Sequence, residues 1–177
     1  VIALNKRYRL WVQIIILAAI FVVGGLTLAD NLFSDDTIPK KGSKAPEFSL
    51  PGLDDKQYEL SDYKGNVVVL NFWGTYCPPC VSEMPLLQQY YEEYKDKNVQ
   101  FMAINENDPI VSIKAFVRQY KLSLPVILDK DVVRREYGVM NYPTTVFINE
   151  KGIIEKIYEG EMDDAFLSST LANMTKN

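Results

Sequence analysis

The distribution of apolar positions divides the chain near residue 30. Leu10–Ala29 is a run of twenty residues without a charge, long enough as a helix to cross a bilayer core of ~30 Å. Residues 30–41, "DNLFSDDTIPKK", are polar, carry no period and read as a linker. From Gly42 the pattern changes to short alternating and periodic segments. "EFSL" and "KQYEL" flank the turn-rich "PGLDD" and predict a small hairpin. "NVVVLNFW" (66–73) is continuously apolar, as a buried central strand should be. Met84, Leu87, Tyr91 and Tyr94 recur at three and four and predict a helix to about Lys97, with the tyrosines in core packing. "VQFMAIN" (99–105) is a strand, and Asp108-Pro109 opens a helix with Ile110, Ile113, Val117 and Tyr120 on one face. "PVILD" (125–129) is a further strand, and "DVVRREYG" is a short helix ending at Gly138. "TTVFIN" and "IIEKIYEG" are separated by Glu150-Lys151-Gly152, a hairpin signal, and Asp163 caps a last helix with Phe166, Leu167, Leu171 and Met174 inward. Strands alternating with helices and a closing hairpin predict an α/β fold with a mixed sheet.

Charge adds orientation to this pattern. Lys6, Arg7 and Arg9 precede the long apolar run, and Asp30, Asp35 and Asp36 follow it. The asymmetry predicts residues 1–9 in the cytoplasm, residues 10–29 as one transmembrane anchor, and residues 42–177 as a single domain on the extracytoplasmic side. Thr27-Leu28-Ala29 resembles a weak signal cleavage site, but the apolar stretches of signal peptides run to only about 7–15 residues. A retained anchor is the better reading, and both readings export the rest. The net charge of −4, with both signs interspersed, argues against nucleic acid as a partner. The chain has no histidine, which removes Ser-His and Cys-His catalysis and the commonest zinc ligand.

The two cysteines, Cys77 and Cys80, stand in "WGTYCPPC" (73–80). Trp73 ends a strand and Pro78-Pro79 begin a helix, so Cys77 lies near a helix N-terminus, where unpaired N–H groups and the dipole favour a thiolate. Cys77 is then placed to attack a partner disulfide and Cys80 to resolve the mixed disulfide. A structural disulfide across two residues closes too small a loop to stabilise much. A zinc site lacks its other ligands. A peroxidatic P-x-x-x-T-x-x-C pattern fails because Thr75 is two residues before Cys77. No metal and no cofactor beyond a redox-active Cys77–Cys80 pair is expected.

"GSKAPEFSLPG", "LSDYKGNVVVLNFWGTYCPPCVSEMP" and "NYPTTVFINEKG" together resemble the membrane-anchored thioredoxin-like proteins of the TlpA/ResA group. The resemblance runs from Gly42 to the C-terminus. It implies a thioredoxin-like α/β fold with an N-terminal hairpin and a central helix–strand insert, the latter at 109–121 and "PVILD", preceded by one transmembrane helix. It further implies an extracytoplasmic thiol–disulfide oxidoreductase that takes electrons from a membrane thiol carrier of the CcdA type. Its implied substrate is an exported disulfide-containing protein, with the C-x-x-C-H disulfide of apocytochrome c leading. By resemblance Cys77 is the exposed nucleophile and Cys80 its resolving partner. Glu83 matches the acid of a C-x-x-C-x-x-E-x-P pattern, with a solvated helix residue as the plainer alternative. Asn71 stands where ordinary thioredoxins carry a buried aspartate, which makes Glu83 the candidate for that acid–base role. Tyr142-Pro143-Thr144 matches a segment whose proline is cis and borders the active site. Trp73, Tyr76, Pro78 and Tyr142 are expected to line the substrate surface with Pro143, although a core role suits Trp73 nearly as well. Glu106 and Asp108 both fit a further acid found in the family, against a plain loop or capping role.

One departure bears on the substrate. Many ResA-type proteins carry Glu-Pro between the cysteines, and this chain carries Pro-Pro, as do some relatives acting in endospore envelope formation. Removing an acid beside Cys77 lowers the thiolate pKa and makes the disulfide more oxidising. A spore-envelope protein is therefore the second substrate reading. A non-catalytic, membrane-tethered binding module is the reading from another class.

Overall fold

The structure is a computed structural model that describes residues 6–33 and 38–176. It divides into two compact units, 1–37 and 38–177. In the first, Lys6–Phe33 form the helix α1, with the side chains of residues 11–24 described and exposed. Among the described residues no helix is long and apolar enough to cross a membrane. Part of the expected span, Leu10 and residues 25–29, lies outside the described side chains, as do residues 1–5 of the N-terminal segment and 34–37 of the linker.

The second unit is built on a five-stranded mixed sheet. Its elements are β1 (Ser49–Pro51), β2 (Gln57–Glu59), β3 (Val67–Trp73), α2 (Pro78–Tyr94), β4 (Val99–Glu106), α3 (Ile110–Tyr120), β5 (Val126–Asp129), α4 (Val132–Glu136), β6 (Thr144–Ile148), β7 (Ile154–Glu159) and α5 (Asp164–Met174). The strand order is β5-β4-β3-β6-β7, with β1 and β2 forming a separate hairpin. β4 runs parallel to β3 and β5, and β6 antiparallel to β3 and β7.

The continuous apolar run of β3 follows from its place in the middle, where all seven residues are buried. The strand period of two sends Val68, Leu70 and Phe72 to one face and Val67, Val69 and Trp73 to the other. The first face is covered by α4 and by residues 42–60, which cross it from an isolated bridge at Lys44–Ile153 to one at Gly52–Ile127. The second is covered by α2, α3 and α5.

Two helix faces differ from the periodicity reading. In α2 it is Tyr90, beside Met84 and Leu87, that is buried, while Tyr91 and Tyr94 are half-buried. The Tyr90 hydroxyl donates to Asp164 Oδ1 at 2.9 Å, a tertiary partner that spacing does not disclose. In α3 the buried pair is Ile113 and Phe116, and Ile110 is 52% exposed. Phe116 is drawn inward by the Trp73 ring, centroid to centroid 4.8 Å. Asp163 caps α5 as expected, its side chain accepting from Phe166 N at 2.8 Å. Thr170 joins Leu167 and Leu171 on the buried face, with Phe166 and Met174 packed at its margin.

Leu70, fully buried in the central strand, sets a stability test. Leu70→Ala is expected to cost about 2–5 kcal/mol, and Asp163→Ala only about 1 kcal/mol. Urea unfolding of both variants measures the difference.

Candidate active site

Three strand ends meet at one edge of the sheet. Phe72 pairs with Thr144 and Trp73 with Asn105, so the segments after β3, after β4 and before β6 leave the sheet together. They carry Cys77, the 106–108 loop and Tyr142-Pro143. The Tyr142–Pro143 peptide bond is cis, as the resemblance implies.

Cys77 and Cys80 form a disulfide with Cα atoms 5.3 Å apart. Cys77 is the N-cap of α2 and its Sγ accepts from Cys80 N at 3.3 Å. The proline pair explains why that donor is available. Pro78 and Pro79 occupy the first two helical positions and have no N–H. The first backbone donor of the helix is therefore that of Cys80, and it points at the Cys77 sulfur. The same donor can hold a Cys77 thiolate in the reduced protein. Cys80 is fully buried, whereas Cys77 keeps 7% of its surface exposed.

Glu83 is no solvated helix residue: it is 2% exposed. Its Oε1 accepts from Asn71 Nδ2 at 2.7 Å and its Oε2 from Met162 N at 3.0 Å. Asn71 Nδ2 also donates to Thr145 Oγ1 at 2.9 Å. One carboxyl group thus joins α2, β3 and the β7–α5 connection, and through Asn71 it reaches β6. The amide at 71 and the acid at 83, set side by side in the sequence reading, are in direct contact.

The two acids of the 106–108 loop do different things. Asp108 Oδ2 accepts from Thr75 N at 2.7 Å and from Asn105 Nδ2 at 2.9 Å, which fixes the segment leading into Cys77. Glu106 Oε2 accepts from the Tyr76 hydroxyl at 2.5 Å, and its Oε1 lies 3.4 Å from Arg134 Nε. The Glu106 carboxylate, followed by burial, holds the Tyr76 hydroxyl up at about 12. Burial, followed by the same carboxylate, raises the Tyr142 hydroxyl well above the ordinary tyrosine range.

The expected contact surface is brought together in part. Tyr76 and Pro78 are exposed beside Cys77, Tyr142 is half-buried and Pro143 buried. Trp73 is a correction: it is fully buried against Phe116 and offers no surface to a substrate. As the last residue of an interior strand, its side chain falls on the face covered by α2 and α3. Met140, two residues before Tyr142, is 78% exposed. Sequence reasoning also missed Arg134, whose Nε bonds Asp131 at 2.9 Å and whose Nη1 bonds Val139 O at 2.8 Å. These bonds join α4 to the chain approaching the cis proline. An arginine in a short charged helix carries no local signal of that role. The buried Trp73 Nε1 and Asn71 Oδ1 have no hydrogen-bond partner among the described residues.

Residues 41–157 match the AhpC/TSA family. The chain belongs to that family. Among its relatives, the thiol-disulfide oxidoreductase ResA of Halalkalibacterium halodurans is 42% identical over 162 residues, covering 91% of this chain and 92% of the relative. The ResA of Bacillus cereus is 37% identical over 171 residues, 96% of this chain and 99% of the relative. The exposed lipoprotein thioredoxin of Streptococcus pneumoniae superposes with a TM-score of 0.65 at 32% identity, over 72% of this chain and 99% of that one. The fold is thioredoxin-like. This member of the AhpC/TSA family is a thiol–disulfide oxidoreductase, which sets aside the non-catalytic binding module.

In this AhpC/TSA member the Glu83 carboxyl is pushed up to about 7. Burial is the dominant cause, only partly offset by the hydrogen bonds from Met162 N and Asn71, which favour the charged form. The folded-state value lies above the ordinary value of 4.5. The native state therefore binds the proton more tightly than the unfolded chain. Stability from this group is fully present below about pH 4.5 and is lost as pH rises toward 7. At ~1.4 kcal/mol per pKa unit, the loss amounts to roughly 3–4 kcal/mol at most. Glu83→Gln is expected to flatten the stability profile over that window, measured as urea midpoints from pH 4 to 8.

Proposed function

We propose that this oxidoreductase is held at the cytoplasmic membrane by Leu10–Ala29 and reduces the disulfide of an exported protein, the C-x-x-C-H segment of apocytochrome c first. The observation that carries the reading is the redox pair itself: Cys77, which keeps 7% of its surface exposed, has its sulfur capped by the Cys80 N–H at 3.3 Å, with Cys80 fully buried behind it. The likeness to proteins named ResA supports the assignment.

In the reduced protein the Cys77 thiolate attacks one sulfur of the substrate disulfide. That bond breaks, the substrate's other sulfur leaves as a thiolate, and a mixed disulfide forms on Cys77. Cys80, deprotonated, then attacks Cys77 Sγ and releases the second substrate thiolate. Two electrons have passed to the substrate, and the protein is left with the Cys77–Cys80 bond present in the structure. A membrane thiol carrier of the CcdA type returns two electrons to regenerate the dithiol. Glu83, one helical turn beyond Cys80 and titrating at about 7, is suited to accept the proton that Cys80 must lose. The substrate segment lies extended along Tyr142-Pro143. Tyr142 lies outside the strand ladder, and its backbone groups make no hydrogen bond among the described residues. They remain open to pair with that segment, flanked by Tyr76 and Pro78.

A spore-envelope protein is the second substrate reading: with Pro78-Pro79 no acid within the motif opposes the Cys77 thiolate, which makes the disulfide more oxidising than a Glu-Pro pair would.

Three measurements test the proposal. Insulin reduction is expected to fall to background in Cys77→Ser and in Cys80→Ser. Cys80→Ser is also expected to trap mixed disulfides in cells. Mass spectrometry of the trapped partners should find C-x-x-C-H segments, and their absence would remove the cytochrome assignment. Glu83→Gln is expected to shift the pH dependence of Cys77 alkylation; an unchanged profile would remove Glu83 from the proton chemistry.

A further inference from the structure

We propose that Glu106 is a positioning residue that makes this oxidoreductase select disulfides lying in an extended peptide segment over small-molecule disulfides. It does so by clamping Tyr76 and Tyr142 as fixed walls of the substrate groove. The inference rests on the reading that the substrate segment lies extended along Tyr142-Pro143.

The carboxylate stands on a tightly bonded base. Glu106 is the last residue of β4, and the turn after it is closed by Asn107 N, which donates to Asn105 O at 3.1 Å and to Asp129 O at 3.2 Å. Asp108 N donates to Asn105 Oδ1 at 3.1 Å in the same turn. Asn107 takes a φ of 46°, in the left-handed region that asparagine enters more readily than most residues. Behind the carboxylate, Arg134 Nε lies 3.4 Å from Glu106 Oε1, and Arg134 is itself held by Asp131 and the Val139 carbonyl. Both side chains are mostly buried.

What this base holds is exposed. Tyr76 is 64% exposed, and a surface tyrosine left to itself is free to change rotamer. Two contacts restrict it. Its hydroxyl donates to Glu106 Oε2 at 2.5 Å. Its ring lies over Gly74, where a Cβ would come within 2.8 Å of Tyr76 Cε1. The glycine is what lets the ring lie down on its own loop. The Tyr142 hydroxyl lies against the same carboxylate, since burial and then Glu106 raise it above the ordinary tyrosine range. Tyr76 directly precedes Cys77 and Tyr142 directly precedes Pro143, so the two rings reach Glu106 from the two sides of the groove. With Arg134 and two phenols around it, the carboxylate is already supplied with donors and needs no cation from a substrate.

A clamped wall helps one class of substrate. An extended segment that packs on Tyr76 meets a side chain already ordered, an advantage of about fivefold in rate, equivalent to about 1 kcal/mol for one side chain that need not be immobilised. A small disulfide reaches Cys77 without packing on the wall and gains nothing from its order.

Single-turnover oxidation of the pre-reduced full chain tests this with two probes, a linear peptide closed by a C-x-x-C disulfide and bis(hydroxyethyl) disulfide. Each turnover passes two electrons to the probe and leaves the Cys77–Cys80 bond. The readout is the ratio of the peptide rate constant to the small-disulfide rate constant, each normalised to the probe's reaction with dithiothreitol. A variant that only misfolds in part lowers both rates alike and leaves this ratio where it was. Tyr76→Phe and Glu106→Ala are each expected to lower the ratio about fivefold. The double variant should fall no further than either alone, because both substitutions remove the same bond. Gly74→Ala should lower the ratio as well, by pushing the Tyr76 ring off its loop. A wild-type preference for the peptide that survives Tyr76→Phe, or two losses that multiply in the double variant, overturns the clamp alone. A wild-type protein that reduces both probes at the same normalised rate overturns the extended-segment reading, and the clamp with it.

Discussion

The Glu83 carboxyl is the point on which the catalytic end of this domain depends. It is almost wholly buried, where an ionised carboxylate is costly, and its two oxygens take donors from separate parts of the chain. One is the side-chain amide of Asn71 in the central strand and the other is the backbone N–H of Met162 between β7 and α5. The helix that starts at the cysteine pair is thereby fastened to the sheet from within. The same contacts leave the acid titrating near neutrality, so one group both positions the redox helix and can exchange a proton beneath it. A structural carboxylate would be better served by a salt bridge, and a solvated one would have an ordinary pKa. The combination of burial with incomplete compensation makes Glu83 the site's candidate for proton exchange.

Around that centre, the exposed part of the site is held by acids acting on the backbone and on tyrosines. Asp108 grips Thr75 N, and Glu106 links Tyr76 to Arg134, which in turn holds Val139 near the cis proline. The segments on either side of Cys77 are thus tied to one another through charged groups at a single sheet edge. This explains how the site can be largely preformed while its loops come from four different connections. It also concentrates negative charge around the redox pair.

Much of the fold was legible because burial imposes a period. β3 reads as an unbroken apolar run since both of its faces are covered, and the hairpin of β6 and β7 declared itself through Glu150-Lys151-Gly152. Asp163 acted as the cap its position promised. The helix faces were less legible, because three- and four-residue spacing admits neighbouring rows. The choice between Tyr90 and Tyr91, or between Phe116 and Ile110, was made by Asp164 and Trp73, residues distant in the chain. Trp73 itself shows the limit well: an aromatic beside the cysteines suits a substrate surface by sequence, yet strand parity turns it into the core.

What the sequence by itself determined is the chemistry and its place along the chain: two cysteines without competing ligands, at a strand-to-helix junction that sets Cys77 near a helix N-terminus. Those are local properties, set by residue type and spacing within a few positions. The tertiary structure alone decided which distant groups converge on that junction. Asn71 with Glu83 and Met162, and Arg134 with Glu106, are brought together by sheet order and register. Such contacts arise only when the whole hydrophobic core closes, and no stretch of the chain encodes them alone.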